Sequence, residues 1–101
     1  MSSQPLRASV IVCTRDRTES CRDTVERLLG SRPPDCELIV VDQSADESTR
    51  TAISALDRSG VVVYLKSDRR GLSAARNQGA AAARGSLLLF TDDDCLPDPD
   101  W

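Results

Sequence analysis

Five aspartates crowd the final stretch of this 101-residue chain, and three of them are consecutive: Phe90 to Trp101 reads F-T-D-D-D-C-L-P-D-P-D-W. Asp92, Asp93 and Asp94 follow directly on the apolar run Leu87-Leu88-Leu89-Phe90, so dense negative charge is expected where a buried strand surfaces. Adjacent carboxylates repel one another and weaken a fold unless a cation neutralises them. The chain has no His, and its four Cys match no zinc spacing, so hard oxygen ligands favour Mg²⁺, Mn²⁺ or Ca²⁺. An Asp-x-Asp holding such an ion at a strand end suits a diphosphate substrate. It is not an EF-hand loop. Leu96 falls on the third ligand position counted from Asp92, and no Gly follows it.

Four short apolar runs must position those carboxylates, and three helical patterns separate them. Ala8 to Thr14 is a β-branched run of strand length. Asp16 and Glu19 then read as a capping pair, and Cys21, Val25, Leu28 and Leu29 share one helical face, with Gly30 as the stop. Pro33-Pro34 marks a turn before Glu37 to Asp42, a second strand ending on a carboxylate. Ser44 and Glu47 carry a capping-box signature for a helix burying Thr49, Ala52, Ile53 and Leu56 and ending at Gly60. Val61 to Lys66 is the third strand, Ser67 to Gly71 a basic loop with Arg69-Arg70, and Leu72 to about Arg84 an alanine-rich third helix. Gly79 would let that helix pack closely on the sheet, Gly85 would stop it, and Ser86 to Thr91 is the fourth strand. The order β-α-β-α-β-α-β with continuous apolar strands predicts a mostly parallel sheet covered on both faces.

Composition narrows the function classes. An apolar content of 40% with 29% charged residues is that of an ordinary globular domain. Residues 92–101 hold five acids and no base, which leaves residues 1–91 slightly basic within a net charge of −3. No basic stripe interleaved with aromatics marks a nucleic-acid binder. The cysteines read as small buried thiols in a reducing compartment, and without a signal peptide or a transmembrane run the expectation is cytoplasmic. No G-x-G-x-x-G follows the first strand and no G-x-x-x-x-G-K-S/T occurs, which argues against a dinucleotide-binding domain and a P-loop NTPase. In an open parallel sheet ligands bind beyond the carboxyl ends of the strands. If the first and fourth strands are neighbours, one crevice gathers Thr14 to Arg17, Asp42 to Ser44 and Asp92 to Asp94.

The segments S-V-I-V-C-T-R-D-R, E-L-I-V-V-D-Q-S, G-L-S-A-A-R-N-Q-G and F-T-D-D-D-C-L-P-D-P-D-W, in that order, resemble the N-terminal half of a family 2 glycosyltransferase. The resemblance covers nearly everything from Ala8 onward. It implies an α/β, Rossmann-like GT-A fold over residues 8–101 after a seven-residue tail, cut short after the fourth strand. It also implies a metal-dependent, inverting enzyme that uses a nucleotide-diphospho-sugar, with UDP-sugars favoured, and a divalent cation, Mn or Mg. By that resemblance Thr14 and Arg17 lie by the nucleoside, and Asp42 accepts a hydrogen bond from the base. Arg76 and Asn77 shape the nucleotide and sugar site, with Asp93 beside them. Asp92 and Asp94 form the D-x-D pair, Asp94 toward the metal. Cys13 stands where the family usually has proline, and Gln43 where many members have Asp or Asn. The catalytic base is expected beyond Trp101. A nucleotidyltransferase, or a non-catalytic interaction module with this fold, is the alternative.

Overall fold

The computed structural model describes residues 6–31, 34–57 and 60–92. Its elements alternate as the hydrophobic pattern requires: β1 (Ala8–Thr14), α1 (Thr18–Ser31), β2 (Cys36–Asp42), α2 (Ser48–Leu56), β3 (Val62–Lys66), α3 (Leu72–Ala82) and β4 (Leu87–Asp92). The four strands pair in parallel in the order β3-β2-β1-β4. The chain steps outward from β1 to β3, then returns through α3 to the other side of β1. In open parallel sheets such a reversal, here between β1 and β4, marks where ligands bind beyond the carboxyl ends of the strands.

Alternation along β1 and β2 divides two apolar layers. Val10, Val12, Leu38 and Val40 face α1 and α2, where they meet Cys21, Val25, Leu28 and Ile53. Ile11, Ile39 and Val41 face the other way, against Ala75 of α3. Helices thus cover both sheet faces. Each fully buried Ile, Leu or Val stabilises the fold by about 1.5–3 kcal/mol relative to exposure. Gly79 is where α3 touches the sheet: a Cβ there would lie 2.5 Å from Ile11 Cγ2. The expected close packing at Gly79 is therefore present.

Several local expectations give way to tertiary contacts. α1 runs through Gly30 to Ser31 instead of stopping at the glycine. Asp16 does not cap α1; its carboxylate accepts from Ala45 N–H at 3.3 Å. Ser44 does not form a capping box with Glu47, the residue before α2, which makes no side-chain cap bond. Its hydroxyl instead accepts from Asp16 N–H at 2.7 Å. Gly85 is not the helix stop, since α3 ends at Ala82; it is the point where the chain crosses β1, and a Cβ there would lie 2.4 Å from Ala8 C.

β4 is also more exposed than its apolar sequence predicts. Leu87, Leu88, Leu89 and Phe90 keep 54, 37, 38 and 45% of their surface accessible. Among the described residues β4 pairs only with β1, and the helices pack chiefly on β1 and β2, so neither face of β4 is fully covered. Cys13, Cys21 and Cys36 remain thiols, and no described helix is long and apolar enough to cross a membrane.

Candidate functional site

The strand register sets the site. Lys66, Asp42 and Thr14 stand level on β3, β2 and β1, and Asp92 arrives on β4 opposite Cys13. Residues at consecutive strand ends are therefore about 5 Å apart across the sheet. The loops leaving those ends are tied together. Gln43 N–H donates to Thr14 O at 2.9 Å, and Ser67 N–H to Asp42 O at 2.8 Å. Gln43 Nε2 donates to Gly71 O at 2.9 Å, joining the β2–α2 loop to the start of α3. Asp16 has a φ of 54°, left-handed backbone that Asp tolerates better than most residues. Its bonds to Ser44 and Ala45 hold it there. Strain of this kind, about 1–3 kcal/mol, clusters at binding sites and switches.

These ties frame a cavity of about 310 Å³ lined by Thr14, Arg17, Gln43, Gly71 and Leu72, with Cys13 and Arg15. A second cavity of about 310 Å³ adjoins it toward β3 and shares Arg15 and Gln43. Its remaining walls include Ser44, Lys66, Ser67, Arg69 and Arg70. The structure therefore brings Thr14 and Arg17 together, as the sequence suggests. It also adds Gln43, which the sequence reading noted only as a departure from the family pattern. The signal was present in the period of two along a strand: if Asp42 turns inward, the next residue faces the other way.

Asp42 does turn inward. It is 0% exposed. Oδ1 accepts from Ser44 N–H at 2.9 Å, and Oδ2 accepts from the Tyr64 hydroxyl and lies 3.6 Å from Lys66 Nζ. Burial pushes this carboxyl upward. The Ser44 and Tyr64 hydroxyls, the Ser44 N–H and the Lys66 charge outweigh it and hold the group below the ordinary carboxylate range. Burial, and then the bond to Asp42, push the Tyr64 hydroxyl up. Lys66 also reaches Glu47 at 3.4 Å and donates to Asp46 O at 2.5 Å. The Asp42 carboxylate is thus fastened to the fold by Ser44, Tyr64 and Lys66.

The remaining expected residues divide. Arg76 lies on the β4 side of α3, its guanidinium 5.8 Å from the Phe90 ring centroid. Asn77 lines a separate cavity of about 380 Å³ with Asp68, Arg69, Ala74 and Gln78, so the adjacent pair point to different places. Asp92 closes β4, while Asp93, Asp94, Cys95 and Trp101 lie outside the described residues. Among the described residues no group of three or more His, Cys, Asp or Glu converges as a metal site. The fit to Mn²⁺ or Mg²⁺ accordingly rests on the chemistry of the donor set in the sequence, three consecutive carboxylates at the end of β4 in a chain without histidine.

Comparison with known proteins agrees with this geometry. Residues 9–101 match the family described as Glycosyl transferase family 2. A glucosyl-dolichyl phosphate glucuronosyltransferase of Haloferax volcanii is 36% identical over 99 residues, covering 95% of this chain and 32% of that protein. Among solved structures, the mannosyltransferase PcManGT of Pyrobaculum calidifontis, in complex with GDP-Man and Mn²⁺, superposes with a TM-score of 0.83 at 25% identity. That match covers 93% of this chain and 29% of the other. The S. aureus protein TarS with UDP-GlcNAc gives 0.77 at 25% identity, over 87% of this chain and 26% of that one. The chain spans about a third or less of the length of the curated relatives it matches.

Proposed function

The chain belongs to glycosyl transferase family 2, and on that premise we propose that it forms the donor-binding part of an enzyme that moves a sugar from a nucleoside diphosphate to an acceptor hydroxyl. The observation that carries the reading is the β1–β4 pairing. It sets the cavity of Thr14, Arg17 and Gln43 beside the strand that delivers Asp92. The nucleoside occupies that cavity, and its diphosphate runs toward β4. The structural neighbours carry GDP-Man with Mn²⁺ in one case and UDP-GlcNAc in another, so the fold supports a nucleotide-sugar without choosing the base.

Asp42 acts at one remove. Its bonds to Ser44 and Tyr64 hold the loop from which Gln43 enters the cavity. Arg17 supplies a charge-assisted donor to the nucleotide, and Arg76, on the β4 side of α3, stands toward the phosphates. Asp93 completes the sugar side of the site, and Asn77, in the cavity it shares with Arg69, stands toward the nucleoside. Asp94, with Asp92, would hold a divalent cation, which when bound would neutralise the charge growing on the departing diphosphate. Transfer inverts the anomeric centre: the acceptor oxygen bonds to the anomeric carbon as the bond to phosphate oxygen breaks, and the acceptor proton passes to a base. No residue of this chain is assigned as that base.

Thermal unfolding with nucleoside diphosphates, each with Mn²⁺ or with EDTA, tests the reading. A ligand at 100 times its Kd stabilises the folded state by about 2.7 kcal/mol. The expected result is a midpoint raised by nucleotide with Mn²⁺, less so with EDTA, with the Mn²⁺ increment lost in Asp94→Ala. A cooperative transition that no nucleotide moves overturns the donor site.

A further inference from the structure

Charge changes sign along the carboxyl rim of the sheet. Asp92 to Asp94 close the β4 flank in sequence, whereas Lys66, Arg69 and Arg70, outnumbering Asp16 and Asp68, edge the cavity on the β3 flank. Lys66 is neutralised by Asp42 and Glu47. Arg69 donates its backbone N–H to Ser67, but among the described residues neither the Arg69 nor the Arg70 guanidinium has a protein partner. β4 and β3 are three strand spacings apart, about 14 Å. A diphosphate held at the β4 flank leaves these two arginines at the other end of the ligand, where the base lies. A nucleoside carries no phosphate there.

We propose that the rim from Gln43 to Arg70 is a guanine-selective base pocket, so that the nucleotide held by this chain is a guanosine diphosphate. The inference rests on the donor-site reading above and adds the base. Gln43 Nε2 is committed to Gly71 O, which fixes the amide plane and leaves Oε1 as an acceptor. An acceptor at that point pairs with a ring N–H on the Watson–Crick edge, which uracil (N3) and guanine (N1) both carry and adenine and cytosine lack. The arginines separate those two bases. A guanidinium fork matches two adjacent acceptors, and guanine presents O6 and N7 side by side. In uracil the carbonyls are split by the N3 hydrogen, and the edge beyond O4 is a C–H. Size points the same way: the two cavities of about 310 Å³ meet at Gln43 and Arg15. A two-ring base spans that junction, while a single ring stays in the first cavity. No aromatic side chain lines either cavity, so stacking falls to the planar guanidinium of Arg15.

A two-dimensional ¹⁵N–¹H NMR titration of the chain with GDP, UDP and ADP in Mg²⁺ decides it, because it tolerates weak binding and reports the fold in the same spectrum. The expected result is GDP binding about tenfold or more tighter than UDP, with the Gln43 side-chain amide among the resonances that move. Arg69→Ala with Arg70→Ala should lower GDP affinity by about tenfold and leave UDP unchanged, and Arg69→Lys with Arg70→Lys should do the same because the fork is lost while the charge stays. UDP binding as tightly as GDP overturns the base assignment alone. An equal loss for both nucleotides, or full rescue by lysine, also overturns it, since either is the behaviour of solvated charge. Spectra that no nucleotide perturbs at millimolar concentration overturn the donor site together with it.

Discussion

β2 carries a buried carboxylate at each end, and the two ends of that one strand have opposite uses. Glu37, near the start, is 4% exposed, and Asp42, at the finish, 0%. They stand five positions apart, so alternation turns Glu37 to the α3 face and Asp42 to the α1–α2 face. Glu37 accepts from Ser9 Oγ at 2.5 Å and from Arg84 N–H at 2.7 Å, while Gly85 N–H donates to Ser9 Oγ at 2.8 Å. Burial raises this carboxyl too, and the Ser9 hydroxyl with the N–H groups and charge of Arg84 brings it below the usual range. The result is a closed corner: the donors at Glu37 come from Ser9 of β1 and from Arg84 in the connection that lies against it. At Asp42 the same chemistry holds apart loops that frame two cavities. A buried carboxylate with its bonds satisfied is thus a fastening at both ends, and only what surrounds it makes one end a site.

The largest expected effect breaks the closed end. Gly85→Ala would force a Cβ onto the backbone of Ala8 and Ser9, which cannot swing aside, and should cost about 3 kcal/mol. Equilibrium urea unfolding would read this as a lower midpoint; a change below about 1 kcal/mol would show that corner to be looser than described.

Next come the carboxylates themselves. Glu37→Gln and Asp42→Asn should each lose about 1–3 kcal/mol at pH 7, since buried donors lose their charged acceptor. Both native groups titrate below their unfolded values of about 4.3 and 3.9, so their contribution is present above those values and fades as pH falls through the lowered folded ones. Each variant should therefore converge on the parent protein in acid. Nucleotide binding sharpens the contrast, because Asp42→Asn should weaken it and Glu37→Gln should not. Equal effects on binding would erase the distinction between the two ends. The smallest effect belongs to Arg50, which lies 5.3 Å from the Tyr64 ring centroid and pairs with Glu47 at 3.1 Å in solvent. Arg50→Ala should shift stability by less than about 1 kcal/mol, measured as a small drop in Tm, with nucleotide binding unchanged.

Much of this was legible in the residues. Uninterrupted β-branched runs, helical spacing at Cys21, Val25 and Leu28, and glycine at position 79 gave the alternation, both apolar layers and one close contact before any coordinates. The capping signatures at Asp16 and Ser44 misled because a short polar side chain beside a helix start can bond a neighbouring loop equally well. Here those two residues bond each other's loops. Arg76 and Asn77 looked like one motif, yet consecutive helix positions project about 100° apart, and one faces Phe90 while the other lines the Asp68–Arg69 cavity.

By itself the sequence determined which elements form and which family they build, because hydrophobic period and turn chemistry are local properties of the chain. Only the tertiary structure decided that β4 lies beside β1, that Asp42 is fastened inward by Tyr64 and Ser44, and that Gln43 takes the open place next to Thr14 and Arg17. Those outcomes depend on partners 22 to 79 residues away in sequence, such as Tyr64 to Asp42 and Ser86 to Arg7. Which hydrogen bond a polar side chain makes is set by what the folded chain brings within about 3 Å of it, and no local pattern records that distance.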